Sequence, residues 1–319
     1  MHCRSLKEVT PQEGIEEIGK YAFAFCKSLV HINYPSTLIK ICKGAFVGCQ
    51  SLKEVTLLEG LEEIGEDAFP GCISLVHINY PSTLIKIGLN AFRACKSLVH
   101  INYPSTLIKI GDGAFMKCHS LKEVQLLEGL EEIGDNAFEN CISLERINYP
   151  STLITLIKII HGAFMNCHSL KEIQLLEGLK EIRHSAFHSC VSLERINYPS
   201  TLIKIDNSAF YRCHSLKELD LPEGLKEIGR SVFEDCVVLE RINFPFTLIK
   251  IGHRAFSDCR SLKEVNLPER LEEIGDGAFQ NCRLLDGITI PPKAFILEIE
   301  SFSEYDEYDH VSYWEVITC

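Results

Sequence analysis

Cysteine is the residue type with the greatest chemical potential in this sequence, because a thiol can act as a nucleophile, a metal ligand or a disulfide partner. The chain has 319 residues and 15 cysteines. Most of the cysteines recur at intervals of 23 residues, at Cys3, Cys26, Cys49, Cys72, Cys95, Cys118 and Cys141, and then at Cys167, Cys190, Cys213, Cys236, Cys259 and Cys282. Such regular spacing indicates a structural repeat. The cysteines would then be stacked in successive repeats, and this arrangement limits which of these three roles they can have.

Disulfides and free thiols are the two alternatives for a stack of cysteines. Successive sulfur atoms would lie close together, within the Cα separation of a disulfide. Parallel stacked side chains rarely give the required dihedral angle, however, and a small thiol packs well in an apolar core. We therefore expect free, buried cysteines. The sequence has no Cys-x-x-Cys pair, which argues against a zinc ribbon or finger.

Two other patterns resemble catalytic or metal sites. Cys-His-Ser occurs at 118, 167 and 213, but neighbouring strand residues point to opposite faces, and nothing supplies an oxyanion hole. Glu54, His77, His100 and Glu123 could bring two imidazoles and two carboxylates together, although repeats produce such clusters by default. We predict no catalytic residue, no cofactor and no metal site.

The repeat itself predicts the elements that position these side chains. Each rung reads C-x-S-L-x-x-I-x-x-P-x-x-L-x-x-I-G-x-x-A-F-x-x. The L-x-x-I segment favours a short strand, and Pro or Glu-Gly then turns the chain. We expect the I-G-x-x-A-F part to form a sharp turn at glycine with a strained, left-handed φ, followed by about one helical turn that drives Phe into the core. Stacked rungs then share one core and a parallel strand ladder.

One rung departs from the period. A duplicated Thr-Leu-Ile in STLITLIKI adds three residues near 154–156. Ile160 occupies the glycine position there, and because isoleucine does not tolerate a left-handed conformation, we expect a bulge in that rung. The predicted domains are a solenoid over residues 1–293, of about 13 rungs by the cysteine count, and a C-terminal part over 294–319. In that part Phe295, Ile296 and Leu297 would form a partial cap before an acidic, aromatic tail.

The motif I-G-x-x-A-F-x-x-C-x-x-L-x-x-I-x-x-P resembles the BspA-like, or Treponema-type, leucine-rich repeat over about residues 3 to 293. The resemblance implies an α/β solenoid: a curved leucine-rich-repeat stack, rich in strand, with its parallel β-sheet on the concave face and turns and short helical segments opposite. It also implies a protein-binding role, since family members are commonly surface adhesins.

Composition limits the class of partner. A formal charge of −12 and a pI near 5.5 argue against a nucleic-acid binder and a binder of anionic membranes. No segment has the apolar length of a membrane span, and MHCRSLKEV lacks the regions of a signal peptide. The chain as written is therefore expected in the cytoplasm, or at the cell surface or secreted if an upstream signal precedes it.

Outward columns alternate in charge, because two rung types, SLKEV..LEGLEEIG and SLERINYPSTLIKI, take turns. One column reads Glu8, His31, Glu54, His77, His100, Glu123, Arg146, Glu172, Arg195, Glu218, Arg241, Glu264. Like charges on adjacent strands repel, so alternation is first a stacking requirement and second a docking surface. An amide column that includes Asn33, Asn79 and Asn102 is expected to hydrogen-bond along the ladder, with ligand binding as the alternative.

The N-terminal half is less charged, because valine and histidine stand where glutamate and arginine stand later. We predict a protein-binding patch there, formed by Val30, His31, Asn33, Val76, His77, Asn79, Val99, His100 and Asn102. The predicted function is a non-catalytic scaffold for a protein partner that the sequence does not identify. The alternatives are a surface adhesin that binds a host or matrix protein, and a structural array without a single ligand. In such an array the chain would self-associate through uncapped ends.

Overall fold

The fold is a parallel β-solenoid of about 12 turns. The computed structural model describes residues 3–148, 158–159 and 161–297. Most rungs carry two short strands instead of the single strand that the sequence predicted, so two ladders run along the solenoid. The first ladder consists of β1 (Glu8–Val9), β3 (His31–Ile32), β5 (Glu54–Thr56), β7 (His77–Asn79), β9 (His100–Ile101), β11 (Glu123–Gln125), β13 (Arg146–Asn148), β15 (Glu172–Gln174), β17 (Arg195–Asn197), β19 (Glu218–Asp220) and β21 (Arg241–Asn243).

The second ladder follows the turn at Pro or Glu-Gly. It consists of β2 (Glu17–Ile18), β4 (Lys40–Ile41), β6 (Glu63–Ile64), β8 (Lys86–Ile87), β10 (Lys109–Ile110), β12 (Glu132–Ile133), β14 (Lys158–Ile159), β16 (Glu181–Ile182), β18 (Lys204–Ile205), β20 (Glu227–Ile228), β22 (Lys250–Ile251), β23 (Glu273–Gly275) and β24 (Phe295–Leu297). Its neighbouring strands pair in parallel from β2 to β12 and again from β14 to β24. Most of its strands have two residues, too short for a periodicity signal in the sequence.

The third side of each rung is a series of turns, and the expected helical segments are absent from the described residues. The reason is that each series of turns contains two left-handed residues four positions apart, such as Asn90 at φ 52° and Ala94 at φ 59°. A helix needs consecutive right-handed residues, so it cannot propagate past these positions. Alternate amides instead bond to the next rung: Phe92 N–H donates to Ala114 O at 2.8 Å, whereas Cys95 N–H donates locally to Phe92 O, three residues earlier, at 3.2 Å.

The glycines of the I-G step serve close approach between rungs, and the expectation that they adopt a left-handed φ was wrong. None of Gly19, Gly65, Gly88 and Gly111 has a positive φ. A Cβ on Gly111 would lie 2.7 Å from the backbone carbon of Gly88, closer than such atoms approach. The argument for a bulge at Ile160 therefore loses its premise, and Ile160 and the insertion at 154–156 lie outside the described residues.

The core consists of identical side chains stacked rung on rung. Buried phenylalanine rings form one column, in which Phe69 and Phe92 lie 5.3 Å apart between centroids and 4° from parallel. Leucine, isoleucine and alanine columns surround it. Because each apolar residue meets its own copy, the same packing recurs from rung to rung in the described residues.

Cysteine has a specific place in this core. Cys26 through Cys259 of the repeat are buried and free, which confirms the expectation for that part of the ladder. From Cys49 onward each of these thiols donates to a phenylalanine carbonyl stacked beside it, as Cys95 Sγ does to Phe69 O at 3.3 Å. The same carbonyl accepts the Cys72 N–H at 3.4 Å. Cysteine thus supplies a small apolar volume together with a weak donor for a buried carbonyl.

Candidate functional site

The predicted patch lies on the first ladder. His77, Asn79, His100 and Asn102 are exposed there, and Ile78 between the first two is buried. Alternation along the strand explains this, because successive side chains point to opposite faces. The polar residues of the patch therefore face solvent, as the sequence predicted.

The structure brings together only part of the patch. The rung of residues 72–94 stacks directly on the rung of residues 95–117, so Val76, His77 and Asn79 lie beside Val99, His100 and Asn102. A complete rung, with Lys53, Glu54 and Thr56 on the same columns, separates them from the remaining patch residues, Val30, His31 and Asn33. The compact candidate site is the junction of residues 72–94 with residues 95–117, which we call the seam.

The seam interrupts the alternation of charge. Elsewhere an acidic residue pairs in register with a basic residue or a histidine, as in Glu54↔His77, His100↔Glu123 and Glu172↔Arg195. At the seam, His77 and His100 occupy the same position in consecutive rungs of the first ladder, and Lys109 pairs in register with Lys86 in the second ladder. Two rungs of one type are consecutive there, so each outward residue meets its own copy.

Acidic neighbours compensate for the two stacked lysines. Lys86 Nζ lies 2.9 Å from Glu63 Oε1, and Lys109 Nζ lies 2.7 Å from Glu132 Oε1. The two ammonium groups are drawn to opposite sides of the seam, away from each other. All four side chains are 40% exposed or more, so these ion pairs are screened by solvent and exchange readily with another charged group.

The charge column of the second ladder is a feature that sequence reasoning missed. It reads Glu17, Lys40, Glu63, Lys86, Lys109, Glu132, Lys158, Glu181, Lys204, Glu227, Lys250, Glu273. Its signal was the alternation of E-E-I with I-K-I every 23 residues. That alternation would have revealed both the second ladder and the interruption at Lys86 and Lys109.

A hydrogen-bonded carboxylate is also missing from the seam. In other rungs a glutamate accepts from the following rung's serine: Glu59 accepts from Ser82 N–H at 3.0 Å and from its Oγ at 2.9 Å. The Ser82 backbone N–H, followed by its hydroxyl, lowers the pKa of Glu59. At the seam Ser82 itself occupies the glutamate position, so Ser105 faces a serine and has no such carboxylate.

The amide column hydrogen-bonds along the ladder, as expected, at Asn33, Asn79 and Asn243, but not in every rung. Asn79 Nδ2 donates to Thr56 Oγ1 at 3.3 Å, and Asn33 Nδ2 donates to Glu8 Oε1 at 3.0 Å. Within the described part of the chain, the side chain of Asn102 forms no hydrogen bond. Its lower neighbour is Asn79, whose donor is already directed to Thr56. Asn102 thus presents an amide to solvent or to a ligand.

Exposed aliphatic side chains flank the lysines of the seam. Ile85 is 40% exposed and Ile108 is 42% exposed, and they precede β8 and β10 in adjacent rungs. In the alternating rungs an aliphatic residue at this position has charged neighbours such as Glu62 and Glu131. The seam therefore combines apolar contact area with unpaired polar groups.

The Cys-His-Ser triplets and the Glu and His residues of the first ladder are the patterns that bear on catalytic and metal chemistry. Within residues 3–148, 158–159 and 161–297, no group of three or more His, Cys, Asp and Glu side chains is arranged to hold a metal ion. Burial raises the pKa of the Cys118 thiol to about 12, so that thiol is protonated near neutral pH.

Over the same described residues, 3–148, 158–159 and 161–297, no helix has the length and apolar character needed to cross a bilayer.

Comparison with protein families gives a match over the whole chain. The model described as "BspA type Leucine rich repeat region (6 copies)" matches residues 1–99, 40–156, 154–249 and 227–319. A comparison with curated proteins finds no match.

Solved structures of bacterial repeat proteins are similar in fold. A leucine-rich repeat protein of Bacteroides ovatus is 27% identical, with a TM-score of 0.61 over 93% of this chain and 85% of that one. A leucine rich cell surface protein of Faecalibacterium prausnitzii is 27% identical, with a TM-score of 0.50 over 82% of this chain and 73% of that one. A protein of Eubacterium ventriosum, 19% identical with a TM-score of 0.56 over 90% of this chain and 85% of that one, shows the fold alone.

Proposed function

Because the chain belongs to the BspA-type leucine-rich-repeat family, we propose that it is a non-catalytic scaffold that binds another protein through the seam. One observation carries this proposal: the seam is where two identical outward surfaces are stacked although electrostatics disfavours it. A solenoid that only needed to stack would continue the alternation through residues 72–117. The seam therefore has a feature that stacking does not explain.

The chemistry of the seam suits a protein surface. Val76, Val99, Ile85 and Ile108 offer apolar contact, and Asn102 offers an amide without an intramolecular partner. Interfaces of this kind combine apolar area with polar groups that become paired on binding. Val30, His31 and Asn33 lie on the same ladder two rungs away and extend the surface for a longer partner.

Buried and protonated thiols support the absence of catalysis in this proposal. The cysteines of the Cys-His-Ser triplets are buried at Cys118, Cys167 and Cys213, and burial raises the pKa of each. A nucleophilic cysteine needs the opposite, a lowered pKa and access to substrate. The outward surface, not the interior, is therefore where function is expressed.

Display on a cell surface, with adhesion to a host or matrix protein, is the second candidate. It is favoured by the similarity to a leucine rich cell surface protein of Faecalibacterium prausnitzii. Antibody labelling of intact, unpermeabilised cells that express the natural gene distinguishes the two. Labelling of intact cells supports the adhesin, and labelling only after permeabilisation supports a scaffold inside the cell.

Site-specific photo-crosslinking tests the seam as the binding surface. A photoreactive amino acid replaces His77 or His100, and a matched control replaces Arg195, which is exposed on the same ladder in alternating rungs. We expect the same discrete adduct from positions 77 and 100 and none from position 195. Equal adducts from all three positions, or self-association alone, would contradict the proposal and favour a structural array.

A further inference from the structure

A departure from the repeat stands at the turn between the two ladders in residues 236–258. Phe246 occupies the position that Ser36, Ser82, Ser105 and Ser200 occupy in other rungs. Its ring is 57% exposed. Ser36, Ser82 and Ser200 each donate their hydroxyl to a glutamate of the preceding rung, whereas Phe246 retains only its N–H bond to Glu223, at 3.3 Å. This rung has lost a hydrogen bond and gained an exposed ring.

The next rung departs from the repeat at the contacting position. Arg270 stands where other rungs have a glycine with a left-handed φ, between 92° and 111°, at Gly14, Gly60, Gly129, Gly178 and Gly224. The Arg270 guanidinium lies 5.6 Å from the centroid of the Phe246 ring. Both departures are therefore parts of one surface feature, the Phe246–Arg270 pair.

The requirements of folding do not explain this pair. It lies outside the core, and the residues it replaces make the turn hydrogen bonds of the other rungs, such as Gly224 N–H to Thr247 Oγ1 at 3.0 Å. Arg270 forms no ion pair within the described residues. An exposed aromatic ring beside a guanidinium that has no carboxylate partner is complementary to a segment that brings both carboxylates and aromatic rings.

Such a segment follows β24 in the same chain. Residues 298–319 contain no Lys or Arg, and residues 304–309 read Glu-Tyr-Asp-Glu-Tyr-Asp. β24 lies two rungs beyond the rung of Phe246, a distance of about 10 Å at the spacing of paired strands. A segment of this length spans that distance several times over, since an extended chain advances about 3.3 Å per residue.

We propose that residues 298–319 dock in cis on the Phe246–Arg270 pair, with the acidic and tyrosine residues of 304–309 against the guanidinium and the ring. Tethering favours this occupant over a separate molecule, because a short linker gives an effective concentration on the order of millimolar. Leu284, Ile290, Phe295 and Ile296 on the last rungs are 46% to 57% exposed and offer further apolar contact area. This surface is separate from the seam.

The single tryptophan gives a direct reporter, because Trp314 lies within the segment. Acrylamide quenching of its fluorescence is measured in the full chain and in a synthetic peptide of residues 298–319. The variants Phe246→Ser and Arg270→Gly restore residues that other rungs carry, so both are compatible with the fold. Ile39→Ser, at an exposed aliphatic residue near the other end, is the matched control.

We expect the quenching constant of Trp314 in the full chain to be lower than in the free peptide by about twofold or more, since a docked segment is partly shielded. Phe246→Ser and Arg270→Gly should raise it toward the peptide value, and Ile39→Ser should leave it unchanged. Three results would overturn the proposal: quenching equal to that of the peptide, protection that neither variant at the pair reduces, and protection that disappears on dilution because a second copy is the occupant.

Discussion

The interior and the exterior of this solenoid follow different periods. Inside, Phe69, Phe92 and Phe115 stack on one another every 23 residues at 5.3 and 5.5 Å. Outside, Glu218 and Arg241 pair in register, and the pattern returns only after two rungs. An apolar side chain packs well against its own copy, whereas a charged side chain is repelled by it. The repeat is therefore one rung long where dispersion dominates and two rungs long where charge dominates.

At the seam, the exterior repeats after one rung, as the interior does everywhere else. Residues 72–94 and 95–117 repeat after one rung on both faces, which places Lys86 beside Lys109. The same comparison thus separates three classes of position: interior columns, alternating exterior columns and the seam. The predictions below test the differences among them, from the largest expected effect to the smallest.

Alkaline pH should unfold the protein because it favours ionisation of the buried thiols, which occurs more readily in the unfolded chain. Burial raises the folded-state pKa of Cys49 and Cys118 from 9.0 to about 12. Below pH 9 these thiols are protonated in both states. Between pH 9 and 12 only the unfolded chain loses their protons. Each thiol therefore lowers the free energy of unfolding by about 1.4 kcal/mol per pH unit. Several such thiols together exceed the 5 to 15 kcal/mol stability of a typical domain.

Circular dichroism against pH checks this prediction. We expect steep loss of structure above pH 9, with a slope that falls by about one proton in Cys118→Ala. Cys3→Ala, at an exposed cysteine of the same repeat position, is the control for loss of a thiol. A slope that does not depend on Cys118 would show that ionisation of that thiol has no part in the transition.

Truncation of the phenylalanine column should cost more than truncation of an exterior ring. Phe92 is fully buried, and Phe92→Ala should reduce the free energy of unfolding by about 3 to 5 kcal/mol. Phe25 is 43% exposed at the position where Ala94 stands three rungs later, so Phe25→Ala should be nearly neutral. Urea denaturation of the two variants compares them, and equal losses would contradict the assignment of the core.

Alanine substitutions at the I-G position should show whether glycine is needed there for close approach between rungs or for its backbone conformation. Gly111→Ala places a Cβ 2.7 Å from the Gly88 backbone carbon and should cost about 1 to 3 kcal/mol. Gly19 has the same place in its rung and no heavy atom within 4 Å of an added Cβ, so Gly19→Ala should be neutral. If both variants lose the same stability, the steric explanation is wrong.

The smallest effect is expected on the exterior ladder. Arg241→Glu places an acid between Glu218 and Glu264, and it should lower the thermal midpoint by less than Gly111→Ala does. The loss should shrink in 1 M salt, where screening acts within about 3 Å. Arg241→Gln is the control that removes charge without adding repulsion. A loss independent of salt would argue against charge as the cause of the alternation.

The sequence predicted those parts of the fold that repeat with a strong signal. The 23-residue period, the inward Phe92 and its copies, and the free thiols followed from spacing and residue type. The second ladder did not, because strands of two residues such as Lys86–Ile87 have no measurable alternation. The helical turn was wrong because left-handed residues, such as Asn90 and Ala94, interrupt it in each rung. Many of these positions carry Gly, Asn or Asp, the residues that favour a left-handed conformation, so part of this signal was present in the sequence and was missed.

The sequence predicted which residues of the candidate site face outward, but not which of them lie in neighbouring rungs. His77 and His100 were placed on one outward column, but their interruption of the charge alternation and the absence of a carboxylate opposite Ser105 become evident only when rungs are stacked. His31 belongs to the same column and lies two rungs from His77. Composition of a column can be read from sequence, whereas a surface depends on which rungs are neighbours.

Removal of one rung tests most directly whether the seam binds the partner. Deletion of residues 72–94 joins residues 49–71 to residues 95–117 and restores alternation while His100 remains. Deletion of residues 190–235 removes two rungs and leaves the seam intact. With a photoreactive amino acid at position 100, we predict that the partner adduct disappears in the first deletion and persists in the second. An adduct that persists without residues 72–94, in a chain that keeps its circular dichroism spectrum, would contradict the proposed role of the seam.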